Sequence, residues 1–210
     1  MIAMLSERLG HRLDPYFYQI FQKIFGKHGN PNLFTLSGLL AALIASYLII
    51  KGFWFWAGLT VILSGLFDLL DGVIARKLGK VTTFGGFFDS VMDRYSDLLL
   101  LLALTIYYLN KGNSSLLILT LVVSIGTALV PYARAKAEAI QVACTIGWME
   151  RAERIILFSL GLLFSWMEPV LWVLAILTHF TVLQRIYYVW KKLCSPLENE
   201  NPKSQISNPK

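Results

Sequence analysis

The sequence predicts an all-α, polytopic membrane protein with six transmembrane helices behind an N-terminal interfacial amphipathic helix. Three observations carry this expectation. Of the 210 residues 56% are hydrophobic and only 15% are charged, against roughly 25% charged in soluble domains. Several apolar stretches reach or approach the ~20 residues that cross a bilayer as helix, so the length accommodates about six crossings and little else. The basic residues also gather at alternate helix ends. Of 19 Lys and Arg, only Lys51 and Lys111 fall at the ends expected outside, while Arg8, Arg12, Lys23, Lys27, Arg76, Lys77, Lys80, Arg134, Lys136, Arg151, Arg154, Lys191 and Lys192 fall on the other side. The positive-inside rule then sets both termini in the cytoplasm. The net charge of +6 reads as orientation in the cytoplasmic membrane, not as nucleic-acid binding.

Residues 1–28 carry Leu5, Leu9, Leu13, Tyr16, Phe17, Ile20, Phe21, Ile24 and Phe25 at helical spacing, with Arg8, Arg12, Lys23 and Lys27 among the other positions. An aromatic-rich apolar face with a basic flank predicts a helix lying in the interface, with a kink at Pro15. No small-residue cleavage pattern follows, so the segment does not read as a signal peptide. Asn30-Pro31-Asn32 breaks it. Domain 29–192 is expected to hold crossings at 33–51, 53–76, 85–109, 115–139, 153–167 and 169–190. Trp54, Trp56, Tyr107, Tyr108, Trp166 and Trp172 fall near the outer ends, where amphipathic rings favour the headgroup zone. The tail 193–210 loses all periodicity and reads as disordered. Cys144 and Cys194 lack metal-ligand spacing and read as free thiols.

Chemistry concentrates in five carboxylates: Asp68, Asp71, Asp89, Asp93 and Asp97 sit inside or at the mouth of two consecutive crossings. An aspartate at mid-membrane costs about 2.5–3.5 kcal/mol on insertion scales, so such groups normally have partners and a function. Asp68 and Asp71 are i,i+3 on one helix, and Asp89, Asp93 and Asp97 are i,i+4 and i,i+8 on the next, so each set shares a face. If the helices are antiparallel the faces meet near the cytoplasmic surface. Oxygen-only ligands at that density suit Mg²⁺ or Mn²⁺, with Ca²⁺ also admissible, and most economically two ions. Salt bridges to Arg76, Arg94, Arg134 or Arg154, or a proton or cation pathway, are the other readings of the same acids. A transporter would need polar residues along a path to the far side, and the outer halves of these helices are almost purely apolar. A silent scaffold would have no use for the spacing. For Asp97 a helix-mouth salt bridge is the favoured reading.

The run Asp68-x2-Asp71-Gly72-x2-Ala75-Arg76-x8-Gly85-x3-Asp89-x3-Asp93 resembles the signature of the CDP-alcohol phosphotransferases at every specified position. The resemblance implies two divalent metals, Mg or Mn, on Asp68, Asp71 and Asp89, with Asp93 near the second metal as general base. It implies a CDP-donor site of Asp68, Gly72, Ala75, Arg76 and Gly85, the small residues lying against the cytidine and Arg76 on the donor phosphates. It also implies a CDP-activated lipid as donor and a homodimer.

The signature does not choose the acceptor alcohol. Arg134 and Lys136 end the expected fourth crossing and Arg151 and Arg154 open the fifth, all on the cytoplasmic side. Together they offer an anion pocket for an acceptor that carries a phosphate. Arg134-Ala135-Lys136-Ala137-Glu138 and Glu150-Arg151-Ala152-Glu153-Arg154 resemble the inositol-phosphate-using branch, departing from it at Lys136, where arginine is common, and at Ala152, where proline is. Inositol 1-phosphate is therefore the expected acceptor. Glycerol 3-phosphate and a soluble CDP-inositol donor are the alternatives.

Overall fold

The computed structural model describes residues 30–194. The expected interfacial helix at 1–28 and the tail beyond Cys194 lie outside the described residues. Six helices fill the rest: α1 Pro31–Lys51, α2 Trp54–Lys77, α3 Thr83–Asn110, α4 Ser114–Ala139, α5 Arg151–Leu163 and α6 Met167–Cys194. No strand occurs among the described residues.

Local sequence explains the helix ends. Pro31 sits at the start of α1, where its missing N–H is no loss, and the Asn30 side chain accepts from the Asn32 N–H at 3.3 Å. Gly52 closes α1 in the left-handed region at φ 79°. Phe53 N–H then reaches back to Leu48 O at 2.9 Å, so the outer turn from α1 into α2 is tight. Thr82 caps α3 by accepting from the Gly85 N–H at 2.9 Å, and Asn113 caps α4 from Leu116 at 3.1 Å.

Helix contacts form a closed ring. α1 packs on α2 and α3, α2 on α5, α5 on α6, α6 on α4, and α4 on α3. The ring encloses a continuous apolar core, including Ile49, Val61, Leu104, Val123, Leu162, Leu171 and Leu174, in the half away from the acids. Small residues let α1 sit close: Ala41, Ala42 and Ala45 are buried, and the Ser64 hydroxyl of α2 donates to Gly38 O across the contact at 2.8 Å. Leu36, Leu40, Leu43, Ile44, Tyr47, Ile176 and Leu183 point outward and are exposed. A bundle apolar inside and out is built for lipid.

Four helices, α1, α2, α4 and α6, are long and apolar enough to cross a membrane. The expected crossing at 153–167 is shorter than foreseen. α5 has 13 residues, about 20 Å of rise, and Ser165 turns the chain in the left-handed region at φ 56°. The acidic helix α3 runs 28 residues, its charged first half facing the ring and its second half joining the core.

Candidate active site

The C-terminal half of α2 and the N-terminal half of α3 meet at one end of the ring, joined by residues 78–82. Helical spacing turns Asp68 and Asp71 to the same side of α2, and Asp89 and Asp93 to the facing side of α3. Carboxylate oxygens of Asp68, Asp71 and Asp89 all lie within 4.8 Å of one another. Asp71 is buried, and its Oδ2 accepts from the Thr35 hydroxyl of α1 at 2.6 Å. Asp89 Oδ1 is buried without a hydrogen-bond partner among the described residues. Three converging carboxylates, one with an unpartnered buried oxygen, form an oxygen-only donor set that fits a hard divalent cation.

Four of the five expected donor-site residues share one cleft, while Asp68 lines the neighbouring ones. Gly72, Ala75, Arg76 and Gly85 line it together with Asp71, Asp89, Asn32, Lys80 and Thr82. A Cβ at Gly85 would lie 2.9 Å from Thr82 Oγ1, the atom that caps α3, so the glycine keeps the rim of the cleft open. A Cβ at Gly72 would lie 3.1 Å from Arg76 Nη1. Arg76 therefore folds back along its own helix over the surface that Gly72 leaves bare.

Asp68 is the hinge to a second region, where it lines a narrow cleft with Thr35, Ser64, Asp93, Ser96 and Arg151. Arg151 Nη1 bridges Asp68 Oδ2 and Asp93 Oδ1, the latter at 2.9 Å. Asp97, 7% exposed, gathers guanidiniums: Arg154 at 2.9 Å, Arg151 Nε at 3.5 Å and Arg94 at 3.9 Å. The helix-mouth salt bridge expected of Asp97 is thus a buried hub. From Asp68, Asp93 and Arg151 a groove continues between α2 and α5, walled by Ile62, Leu66, Leu69, Ile155 and Ile156.

The four basic residues expected to form one anion pocket divide into two pairs. Arg151 and Arg154 meet the acids. Arg134 pairs with Glu138 at 2.9 Å on an exposed face of α4, and the Lys136 ammonium stands 5.8 Å from the centre of the Tyr132 ring. A fifth cation escaped the sequence reading. Arg185 of α6 is 2% exposed; it donates through Nε to Ile146 O at 2.9 Å and through Nη1 to Val130 O, and Nη2 faces Glu150 Oε1 at 3.7 Å. It ties the 140–150 linker to α4 and α6 immediately before Arg151. An arginine within an apolar helix is itself a signal, since such a charge needs a buried partner.

Comparison with known proteins supplies a family. The chain is 34% identical over 196 residues to the archaetidylinositol phosphate synthase of Methanothermobacter thermautotrophicus, covering 90% of this chain and 98% of that one. It is 34% identical over 168 residues to a phosphatidylinositol phosphate synthase of Mycobacteroides abscessus, covering 76% of each. The crystal structure of the Mycobacterium tuberculosis phosphatidylinositol phosphate synthase in complex with manganese and citrate superposes with a TM-score of 0.71 at 26% identity, covering 86% of this chain and 88% of that one. Residues 29–184 match the model of the CDP-alcohol phosphatidyltransferases, and with acids, glycines and arginine in the arrangement described, the chain belongs to that family.

Proposed function

We propose that this enzyme transfers a phosphatidyl-type group from CDP-diacylglycerol, or a CDP-ether lipid, to inositol 1-phosphate, releasing CMP. The observation that carries the reading is the carboxylate trio of Asp68, Asp71 and Asp89, set between a cleft with small, basic lining and a second cleft lined by Arg151. The names of the archaeal and mycobacterial relatives support the acceptor.

Asp68, Asp71 and Asp89, with Asp93 beside them, would hold two divalent ions, Mg or Mn. Bound there, the ions supply counter-charge to a diphosphate and make its phosphorus more electrophilic. The protein's own groups do the rest. Gly72, Ala75 and Gly85 leave room for the cytidine, and Arg76 offers two N–H donors to the phosphates. The groove walled by Ile62, Leu66 and Ile156 suits a lipid chain leaving the site toward the bilayer. Arg151 and Arg154 bind the phosphate of the acceptor, and Arg134 and Lys136 on α4 add positive charge to the same side of the protein. Asp93 takes the proton from the acceptor hydroxyl as its oxygen bonds to the phosphorus nearest the lipid; the bond from that phosphorus to the bridging oxygen breaks, and CMP leaves with the electron pair.

The same reading has six crossings, with α3 and the short α5 crossing alongside the four long apolar helices, and an interfacial helix at 1–28. The site and both termini face the cytoplasm, residues 29–192 form the catalytic domain with 193–210 as a tail, and the enzyme works as a homodimer. The deciding experiment is CMP release by purified protein with CDP-diacylglycerol and Mg²⁺ or Mn²⁺, comparing inositol 1-phosphate, glycerol 3-phosphate, free inositol and serine. The expected result is EDTA-sensitive release with inositol 1-phosphate alone. Release with glycerol 3-phosphate alone overturns the acceptor, and EDTA-insensitive release overturns the metal.

A further inference from the structure

Thr35 lies in α1, outside the run of residues 68–93 that resembles the family signature, yet it touches the acid cluster more closely than any other hydroxyl described. Its Oγ1 is 2.6 Å from Asp71 Oδ2 and 3.3 Å from Pro31 O. A hydroxyl has a single proton to give. Helical threonines commonly give it to the carbonyl four residues back. Here the carboxylate is nearer, is charged when ionised and can only accept, so the charge-assisted bond takes the proton. Both residues are largely buried, Thr35 at 6% and Asp71 at 6% exposure, so water has little access to the contact.

The contact also links two different elements. With Oδ2 held from α1, the Asp71 carboxylate is oriented relative to Asp68 and Asp89. Groups that orient a ligating side chain without touching the metal are worth about ten- to a hundredfold in metal affinity. We infer that Thr35 is a positioning residue of the metal site: its hydroxyl fixes the Asp71 carboxylate in ligating orientation and couples α1 to the ion. The inference rests on the metal reading of Asp68, Asp71 and Asp89. Because Asn32, one turn earlier on α1, lines the donor cleft, the same bond ties the wall of that cleft to the metal site.

Thr35→Val tests the inference, since valine keeps the branched shape and removes only the donor. Mn²⁺ binding is measured directly, by electron paramagnetic resonance of free Mn²⁺ titrated with purified protein in nanodiscs, alongside metal-free Tm. The expected result is Mn²⁺ affinity about ten- to a hundredfold weaker in Thr35→Val, affinity restored toward wild type in Thr35→Ser, and CMP release by Thr35→Val recovering at high Mn²⁺. Thr35→Ala is the second variant, expected to match Thr35→Val, and carries the test if valine does not fold. Wild-type affinity in a folded valine or alanine variant overturns the inference, as does a serine variant no better than valine. Wild-type protein that binds no Mn²⁺ overturns the metal reading itself, an outcome distinct from failure of Thr35 alone.

Discussion

Arg151 Nη1 lies 2.9 Å from Asp93 Oδ1, and the same nitrogen contacts Asp68. One guanidinium thus joins the carboxylate assigned to proton transfer and a carboxylate of the metal trio. It holds Asp93 toward the second cleft, on the side from which a phosphorylated alcohol would approach. Asp93→Asn preserves shape and removes the proton acceptor. The expected outcome is a fall in kcat of about 10²–10⁴-fold, with CDP-lipid binding unchanged; single-turnover CMP release and equilibrium donor binding measure the two effects. Near-normal turnover would exclude Asp93 as the base.

Arg154 is held at its back by Asp97 at 2.9 Å and donates to Met149 O at 3.3 Å. Arg154→Ala is expected to raise KM for the phosphorylated acceptor about tenfold or more, the scale of one charge-assisted hydrogen bond, while KM for the CDP-lipid changes far less. It also removes one of three cations around a buried carboxylate, so Tm should fall. Equal changes in both KM values would argue against an acceptor pocket at this arginine.

Gly85 gives a case in which stability and binding should part. Alanine is favoured over glycine in a helix by about 1 kcal/mol, yet its Cβ would press on Thr82 Oγ1, 2.9 Å away. These effects oppose each other, so Gly85→Ala should hardly move Tm. Its methyl group narrows the donor cleft, and KM for the CDP-lipid should rise with kcat less affected. An unchanged donor KM would mean that the nucleotide does not pass this point.

Metal binding should register as stability. A ligand at a hundred times its Kd stabilises a fold by about 2.7 kcal/mol, so Mn²⁺ should raise the Tm of the wild-type protein and EDTA should reverse the rise. Asp71→Asn should lose most of that increment, because asparagine offers a neutral oxygen in place of a carboxylate. An equal Tm rise in wild type and Asp71→Asn would move the ion elsewhere.

Arg185 anchors the 140–150 linker through Ile146 O and faces Glu150. Arg185→Gln should lower Tm and loosen that linker in hydrogen exchange, with protection lost at residues 145–150 and retained in the core of α1 and α2. Unaltered exchange across the linker would leave Arg185 without the anchoring role.

Most helix ends agree with their expected positions within about two residues. The first expected segment, 33–51, is Pro31–Lys51 in the structure, and 115–139 is Ser114–Ala139. Their boundaries rest on local chemistry: a proline start, an asparagine cap, a glycine stop. α5 ends four residues before the expected 167, because the turn after Leu163 is made by Ser165 in a left-handed conformation that no glycine announces, and α6 runs on past the expected 190 to Cys194. The acid cluster was legible for a related reason. Asp68, Asp71, Asp89 and Asp93 lie on adjacent helices with a short connection, so face and proximity both follow from spacing. Thr35 gave no signal, being one of several hydroxyls in an apolar helix, beside Ser37, Ser46 and Tyr47. Arg134 and Arg154 looked equivalent because each sits at a helix end expected on the cytoplasmic side.

The sequence by itself determined the solvent, the helices and the chemistry of the site: apolar composition demands lipid, backbone groups in lipid demand helices, and carboxylates at fixed helical intervals must share a face. The tertiary structure decided the neighbours. The closed ring brings α1 against α2 and α3, which delivers Thr35 to Asp71, and sets α5 on α2, which delivers Arg151 to Asp68 and Asp93. Helical periodicity fixes the direction of a side chain about its own axis, whereas the partner it meets depends on which helices pack together, and that is settled by the side chains of all six at once.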